Sequence, residues 1–393
     1  MNVCHVITRF IAGGAQENTL ASVVGLARKG HILTLVSGPS TGPEGCLFDY
    51  YPALAGQSLF RFVEEPDLVR PILPWHDCRA YFHLKHLFET NHFDIIHTHS
   101  SKAGILARLA ARSSRRSGQT LVVHTIHGLS FDSFKPFWKN TAYRSMERLC
   151  ARHSDALVSV CDTMTAQALA AGVGTPSLYT TIYSGFDLQS FQTARTRRAE
   201  QCRALGIPPD TVVLVSIGRL FTMKGAEEFL SVLEYLHQSS SVSVTGIFVG
   251  DGPLRSYLEQ RARKNLPPHS VMFTGLVPPT EIPDWLAVAD GVVHASLREG
   301  LARVLVQALA AGVPVVTYDV GGAREVISDF YNGFVCEPGN LKQLCDAVRT
   351  LATDTKKRHA LAEAARATDI TQFDNAVMVS RLETLYQSLT ANA

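Results

Sequence analysis

Short runs of aliphatic and β-branched residues alternate with stretches of helical spacing along most of the chain, and that alternation admits few folds. Strand-like runs fall at residues 3–7, 32–36, 94–98, 121–126, 156–160 and 179–183. Between them lie segments of 3.6-residue periodicity, so consecutive strands are joined by helices and must run parallel, with helices on both faces of the sheet. The span 38–74 is irregular and rich in Pro and Gly, with a strand near 59–63. After Pro208-Pro209 the pattern restarts, with strands at 212–217, 244–249, 271–274, 291–295 and 313–318. A length of 393 residues also exceeds what one core ordinarily holds. The fold class expected is therefore α/β, with two Rossmann-like domains. The predicted domains are 1–187, joined by a C-terminal helix at 372–391 that crosses back, and 188–371. A cleft between two such domains is the default ligand site.

Composition narrows the function classes. A formal net charge of +2 gives no electrostatic case for nucleic acid. The eight cysteines include no C-x-x-C pair and several sit inside apolar patterns, as in a reduced, cytoplasmic protein. The first apolar run is too short for a signal peptide, and no run reaches the ~18 residues that span a bilayer. Any membrane contact is expected to be peripheral, at the inner face of the plasma membrane; the first half is mildly basic, and Arg112, Arg115 and Arg116 are candidates to touch an anionic surface. A solvated face is the preferred reading of those arginines, and the Arg-rich run 195–203 reads as one too.

Candidate site residues gather at strand ends, where open parallel sheets bind ligands. Gly13-Gly14 follows the first strand and lets a backbone approach a ligand closely. His97 and His99 sit two apart with no third ligand near in sequence, so structural or substrate-contact roles are expected rather than zinc. His99, Lys102 and His127 all stand at strand ends of the first domain. In the second, Arg219 and Lys224 flank a strand-to-helix turn, a fork and a mobile point charge suited to diphosphate oxygens. Gly252 lies in a glycine turn, and Leu276 and Val277 offer apolar borders for a flat base. The stretch 298–316 follows a strand with a carboxylate, Glu299, and then a helix start whose N–H groups, from Leu301, Ala302, Arg303 and Val304, suit a phosphate. A carboxylate beside a phosphate needs another task, such as accepting from a sugar hydroxyl.

The runs GRLFTMKG, VGDGP, FTGLV, the stretch from Glu299, AGVPVV and GGAREVI occur in that order, after GGAQENTL, DIIHTHSSKAG, VVHTIHG and IYSGFD. Together they resemble the retaining family-four glycosyltransferases of the GT-B fold. The resemblance implies that Arg219, Lys224 and the helix start bind the donor diphosphate, with Gly13 and Gly14 closing on it from the opposite domain. It implies that Glu299 contacts the transferred sugar, that His127 lies near the reacting centre, and that the position of Gln307 holds the ribose. Gln307 departs from the family's second acidic residue; it keeps an acceptor oxygen but loses charge-assisted strength.

No D-x-D pair occurs, so no metal and no cofactor beyond the nucleotide diphosphate sugar is expected. The expected function is retaining transfer of a hexose or its derivative, with UDP favoured as the nucleotide and GDP next. The expected acceptor is a lipid-linked or small hydroxyl compound of bacterial cell-surface polysaccharide assembly. A sugar-nucleotide epimerase of the same architecture and a non-catalytic partner subunit, motivated by Gln307, are the alternatives.

Overall fold

The computed structural model describes residues 1–40, 45–55, 59–114, 120–132 and 134–391. The chain divides into two compact units, Met1–Gly185 with Gln372–Ala393, and Phe186–Thr371. Each is a parallel sheet covered by helices.

The first unit holds β1 (Asn2–Ile7), β2 (Ile32–Ser37), β3 (Arg61–Glu64), β4 (Ile95–His99), β5 (Leu121–Ile126), β6 (Ala156–Ser159) and β7 (Tyr179–Thr181). Their order is 3-2-1-4-5-6-7, every pair parallel. Strands β1, β4 and β5 are buried throughout apart from Asn2, as strands covered on both faces must be. Cores form on either side of the sheet, one around Val3, Ile7, Leu35 and Ile95, the other around Cys4, Val6, Ile96 and Leu84. The C-terminal helix Asn375–Ala391 packs on the helix Gly14–Arg28 and buries Met378, Val379, Leu382 and Tyr386. Each of those side chains contributes on the order of 1.5–3 kcal/mol by leaving water.

The second unit holds β8 (Val212–Ile217), β9 (Val244–Val249), β10 (Val271–Gly275), β11 (Gly291–His294), β12 (Val315–Tyr318) and β13 (Gly333–Cys336), in the order 10-9-8-11-12-13. One core, with Phe229, Leu233, Phe248, Val293 and Leu344, lies under the helices. Strand β13 and the helix Leu188–Ala194 escape a reading by pattern, because both are short and lie beside turn-rich sequence. In the arginine run Arg197 and Arg203 are exposed, but Arg195 and Arg198 turn inward. Arg195 donates to the Ala289 carbonyl at 2.5 Å, and Arg198 donates to Val288 O at 2.5 Å and to both carboxylate oxygens of Asp290 at 2.8 and 2.9 Å. These guanidiniums satisfy the carbonyls at the C-terminal end of the helix Ile282–Val288, as cations at a helix C-terminus do.

In both sheets the strand order reverses once, between β1 and β4 in the first unit and between β8 and β11 in the second. Such a switch point opens a crevice beyond the strand ends.

Candidate functional site

Around the second unit's switch point, loops from β8, β9, β11 and β12 lock together backbone to backbone. The loop after β8 carries Gly225 at φ 84, and a side-chain carbon there would lie 2.5 Å from the carbonyl carbon of Ala295. Only glycine satisfies both demands. Met223 O accepts from Leu297 N at 2.9 Å, so the β8 and β11 loops are tied. Leu220 N donates to Asp251 O at 2.9 Å, and Leu254 N to Leu220 O at 3.1 Å, which adds the β9 loop with Gly252. On the other side Gly322 N donates to Gly300 O at 2.7 Å, and Gly321, at φ 58, would set a side-chain carbon 1.9 Å from Gly300 O.

This lock brings Lys224 to Glu299. The ammonium donates to Glu299 Oε1 at 2.7 Å and to the Arg298 carbonyl at 3.3 Å. The Glu299 side chain is 18% exposed, and His294 at the end of β11 stands 3.5 Å from the same oxygen. Burial alone would raise the carboxyl's pKa; His294 and the Lys224 ammonium overcome it and hold the group down at about 2. The 3.5 Å gap is long for a hydrogen bond, so Lys224 at 2.7 Å is the firmer partner. Glu299 is an anion at any physiological pH.

The helix that follows is Arg303–Ala310, capped at Ala302. It starts two residues later than the sequence suggests, because the Gly300–Gly322 contact holds the preceding backbone in the loop. Arg303 and Val304 therefore open the helix, while Leu301 and Ala302 lie before it. Arg303 also stacks its guanidinium 4.4 Å from the centroid of Phe186. Gln307, one turn further, is 9% exposed. Arg219 is exposed, with its guanidinium 5.0 Å from the centroid of Phe221. Leu276 and Val277 follow β10, the edge strand of the sheet, and Leu276 is 41% exposed.

At the first unit's switch point a column of histidines occupies one face of the sheet. The β1–β4 register sets His5 opposite His97, with His99 two residues on. His5 Nδ1 lies 2.9 Å from His99 Nε2, and His99 Nδ1 lies 3.0 Å from His127 Nε2. His97 is held at both ring nitrogens, by the Tyr386 hydroxyl at 2.5 Å and the Thr125 hydroxyl at 2.7 Å. His5, His97 and His99 are buried, and burial first of all strips their protons: His5 is drawn down to about 3, while His97 and His99 are lowered further by their neighbouring rings. The rings are neutral, so each carries one N–H. His5 Nε2 is buried with no partner. The chain therefore runs outward, His5 donating to His99 and His99 to His127, which leaves a bare lone pair at His5 Nε2. The opposite direction would bury an unpaired N–H there, the costlier fault. His127 Nε2 is thus the acceptor at the outer end of the column.

No third ligand stands near His97 and His99 in sequence, but the β1–β4 pairing brings one in space: the ring nitrogens of His5, His97 and His99 lie within 4.8 Å of one another. The occupied nitrogens of His97 leave the hydrogen-bonded column as the better description. Glu65, Asp67 and His83 make a second group of this kind, and there Arg79 Nε takes Asp67 at 3.0 Å. Lys102 is engaged within its own unit. Its ammonium is bound by Asp77 and the Pro71 carbonyl. Gly13 caps the helix Gly14–Arg28, so both glycines sit at a helix N-terminus beyond β1. Arg112 bonds His153, and Arg115 and Arg116 lie outside the described residues.

Comparison with known proteins decides what these two sheets belong to. Residues 197–368 match the family described as glycosyl transferases group 1, and residues 13–185 match the glycosyl transferase 4-like domain. The chain joins a glycosyl transferase 4-like domain to a glycosyl transferases group 1 domain in the GT-B fold. Among its relatives is the Escherichia coli UDP-Gal:alpha-D-GlcNAc-diphosphoundecaprenol alpha-1,3-galactosyltransferase, 26% identical over 329 residues, covering 83% of this chain and 84% of that one. The D-inositol 3-phosphate glycosyltransferase of Xylanimonas cellulosilytica is 27% identical over 289 residues, 70% and 67% of the two chains. Anabaena HepE, solved in complex with UDP and glucose, superposes with TM-score 0.80 at 22% identity, over 99% of this chain and 100% of that one. Sucrose-phosphate synthase from Thermosynechococcus elongatus reaches 0.84 at 17% identity, over the full length of both.

Two residues of this glycosyltransferase's candidate site escaped the sequence reading. His294 ends a strand five residues before Glu299, a position that could have been weighed with it. His5 is one apolar-strand residue among several, and nothing local marks it. Among the described residues no helix is long and apolar enough to cross a membrane.

Proposed function

We propose that this glycosyltransferase moves a hexose or hexose derivative, with retention, from a nucleotide diphosphate sugar to a hydroxyl acceptor in bacterial cell-surface polysaccharide or glycolipid assembly. UDP is the favoured nucleotide and a lipid-linked or small hydroxyl compound the acceptor. The observation that carries the reading is the Lys224–Glu299 pair at 2.7 Å, set beside the first turn of the helix Arg303–Ala310. A cation and a helix N-terminus at one place favour a diphosphate, and an obligate carboxylate beside them suits the hydroxyls of the attached sugar. The relatives' names agree with this donor class: a UDP-galactose enzyme acting on a diphosphoundecaprenol acceptor, and HepE in complex with UDP and glucose.

Lys224, Arg219 and the helix N-terminus supply positive charge where the leaving diphosphate develops negative charge, so a metal is not required in this scheme. Lys224 has three donors and serves Glu299 and a phosphate oxygen at once. The acceptor oxygen attacks the anomeric carbon on the face the diphosphate leaves, the bond to the diphosphate breaks, and a diphosphate oxygen takes the acceptor's proton. In the same scheme Gln307 hydrogen-bonds the ribose.

The test is a panel of UDP-, GDP- and ADP-sugars offered to the full chain with an undecaprenyl-diphosphate sugar acceptor. Acceptor-dependent release of UDP with an α-linked product is expected from an α-linked donor. Neither binding nor turnover of any donor would refute the enzyme reading, and nucleotide release that ignores the acceptor would favour the epimerase alternative.

A further inference from the structure

The helix Phe137–Ala151 and the turn before it present an exposed surface that the donor site does not explain. Asn140, Glu147, Cys150 and Ala151 are its buried side. Opposite them, at spacings of four, three and four, stand Trp138, Ala142, Ser145 and Leu149, all exposed. That is one continuous stripe along the helix, apolar or small at every position. Phe137 is 85% exposed, Trp138 67% and Phe134 56%, large aromatics that a folded chain would normally cover.

Cations flank the stripe. Lys139 lies beside it with its ammonium 5.2 Å from the Trp138 ring, Arg144 sits 5.3 Å over Phe131, and Arg148 and Arg152 are exposed further along. Arg148 spends its Nε and one terminal nitrogen on the Ala171 carbonyl and keeps further donors. The helix's one carboxylate, Glu147, is buried against Arg108 at 2.8 Å. Asp132, just before the helix, is paired with Lys135 at 2.6 Å. The exposed face is thus aromatic at its tip, apolar along its centre, basic on its flanks and free of exposed carboxylates among the described residues.

We infer that this face is a membrane-docking surface for a bilayer rich in anionic lipid. A helix with Trp, Phe and Leu on one stripe and Lys and Arg beside it lies flat in the headgroup region, the aromatics at the hydrocarbon boundary and the cations on lipid phosphates. The anchor is peripheral, and it adds Phe134, Phe137, Trp138 and their flanking cations to the contact expected at Arg112, Arg115 and Arg116. It stands on exposure and charge alone and does not depend on which donor or acceptor the enzyme takes.

The experiment is flotation of the full-length protein with vesicles of phosphatidylcholine, with and without phosphatidylglycerol. The wild type should bind the anionic vesicles, weaken as salt rises, and shift its tryptophan emission to the blue. The double substitution Phe137→Ser with Trp138→Ser should lower binding by at least about tenfold. Lys139→Ala with Arg144→Ala should lower it about fivefold per cation on anionic vesicles and leave neutral vesicles unaffected. Tyr257→Ser, an exposed aromatic of the other unit, serves as the control and should change nothing. Circular dichroism checks that each variant is folded. Unchanged vesicle binding by the folded aromatic variant would overturn the proposal. So would a wild-type dimer that the same substitutions convert to monomer, which would make the face a contact between copies, or capture of a short RNA in preference to vesicles.

Discussion

The two switch points occupy the same place in two sheets of like topology, yet their electrostatics are opposite. In the first unit burial strips charge: His5, His97 and His99 have no counter-ion among their ring and hydroxyl partners, so they stay neutral and order themselves by hydrogen bonds. In the second unit burial is also the largest influence on Glu299, but Lys224 and His294 outweigh it and the carboxylate keeps its charge. Depth in the crevice therefore does not fix protonation. What fixes it is whether the neighbouring loop brings an opposite charge, and only the β8 loop, pinned by Gly225 against Ala295, does so.

Removing that charge is the largest available blow to the comparison. Lys224→Ala should cut donor turnover about a hundred- to a thousandfold, the usual cost of deleting one donor to developing charge. The same change should raise the Glu299 carboxyl pKa from about 2, read by carbon NMR of a labelled side chain. An unchanged rate would remove Lys224 from the phosphate site, and an unchanged carboxyl titration would make His294 its real partner.

How much of this was legible beforehand follows from how far apart the partners stand in sequence. The strands were legible because residues buried on both faces read as continuous apolar runs, and the loops because glycines gather at strand ends. Lys224 and Glu299 could be suspected singly, each at its own strand end, but not as a pair, since the backbone contacts that join them link loops more than seventy residues apart. His5 was invisible for the same reason: only the placement of β1 beside β4 makes it a partner of His97 and His99. The partners of Lys102 were hidden for a like reason: Asp77 and Pro71, which hold its ammonium, come from a segment some thirty residues earlier. The helix start moved to Arg303 because the Gly300–Gly322 contact is tertiary and leaves no local signal.

Acid separates the two units by a middle-sized effect. A histidine whose folded pKa lies below its unfolded value of about 6.5 adds stability that is complete above that pH and falls away as the pH drops toward its folded value. For His5 that window runs from 6.5 down to about 3. The slope is about 1.4 kcal/mol per pH unit for each such ring. Glu299 is the mirror case in carboxylate terms: its contribution is held above 4.5 and lost only as pH falls toward about 2. Between about pH 6 and 5 the first unit should therefore lose protection while the second holds, measured as amide exchange of β1 and β4 against β8 and β11. His5→Phe should flatten the first unit's slope by one proton's worth. Earlier opening of the second unit would break the contrast.

The smallest effect concerns Gln307, which is 9% exposed and one turn into the helix Arg303–Ala310. Replacing it by Glu sets two terms against each other. Burying a carboxylate costs solvation, the same penalty that acts on Glu299. Against it stand charge-assisted hydrogen bonds to ribose hydroxyls, stronger than those an amide oxygen makes, and the cation of Arg303 one turn back on the same helix. With Arg303 four residues back the second group should win narrowly, so Gln307→Glu is expected to leave UDP binding unchanged or tighten it, by about 0.5–1.5 kcal/mol at most. Calorimetric titration with UDP measures it. A large loss would show that the carboxylate is left unpaired against a low-dielectric wall, as the uncompensated histidines of the first unit would be if charged, and the ribose would then have to lie elsewhere.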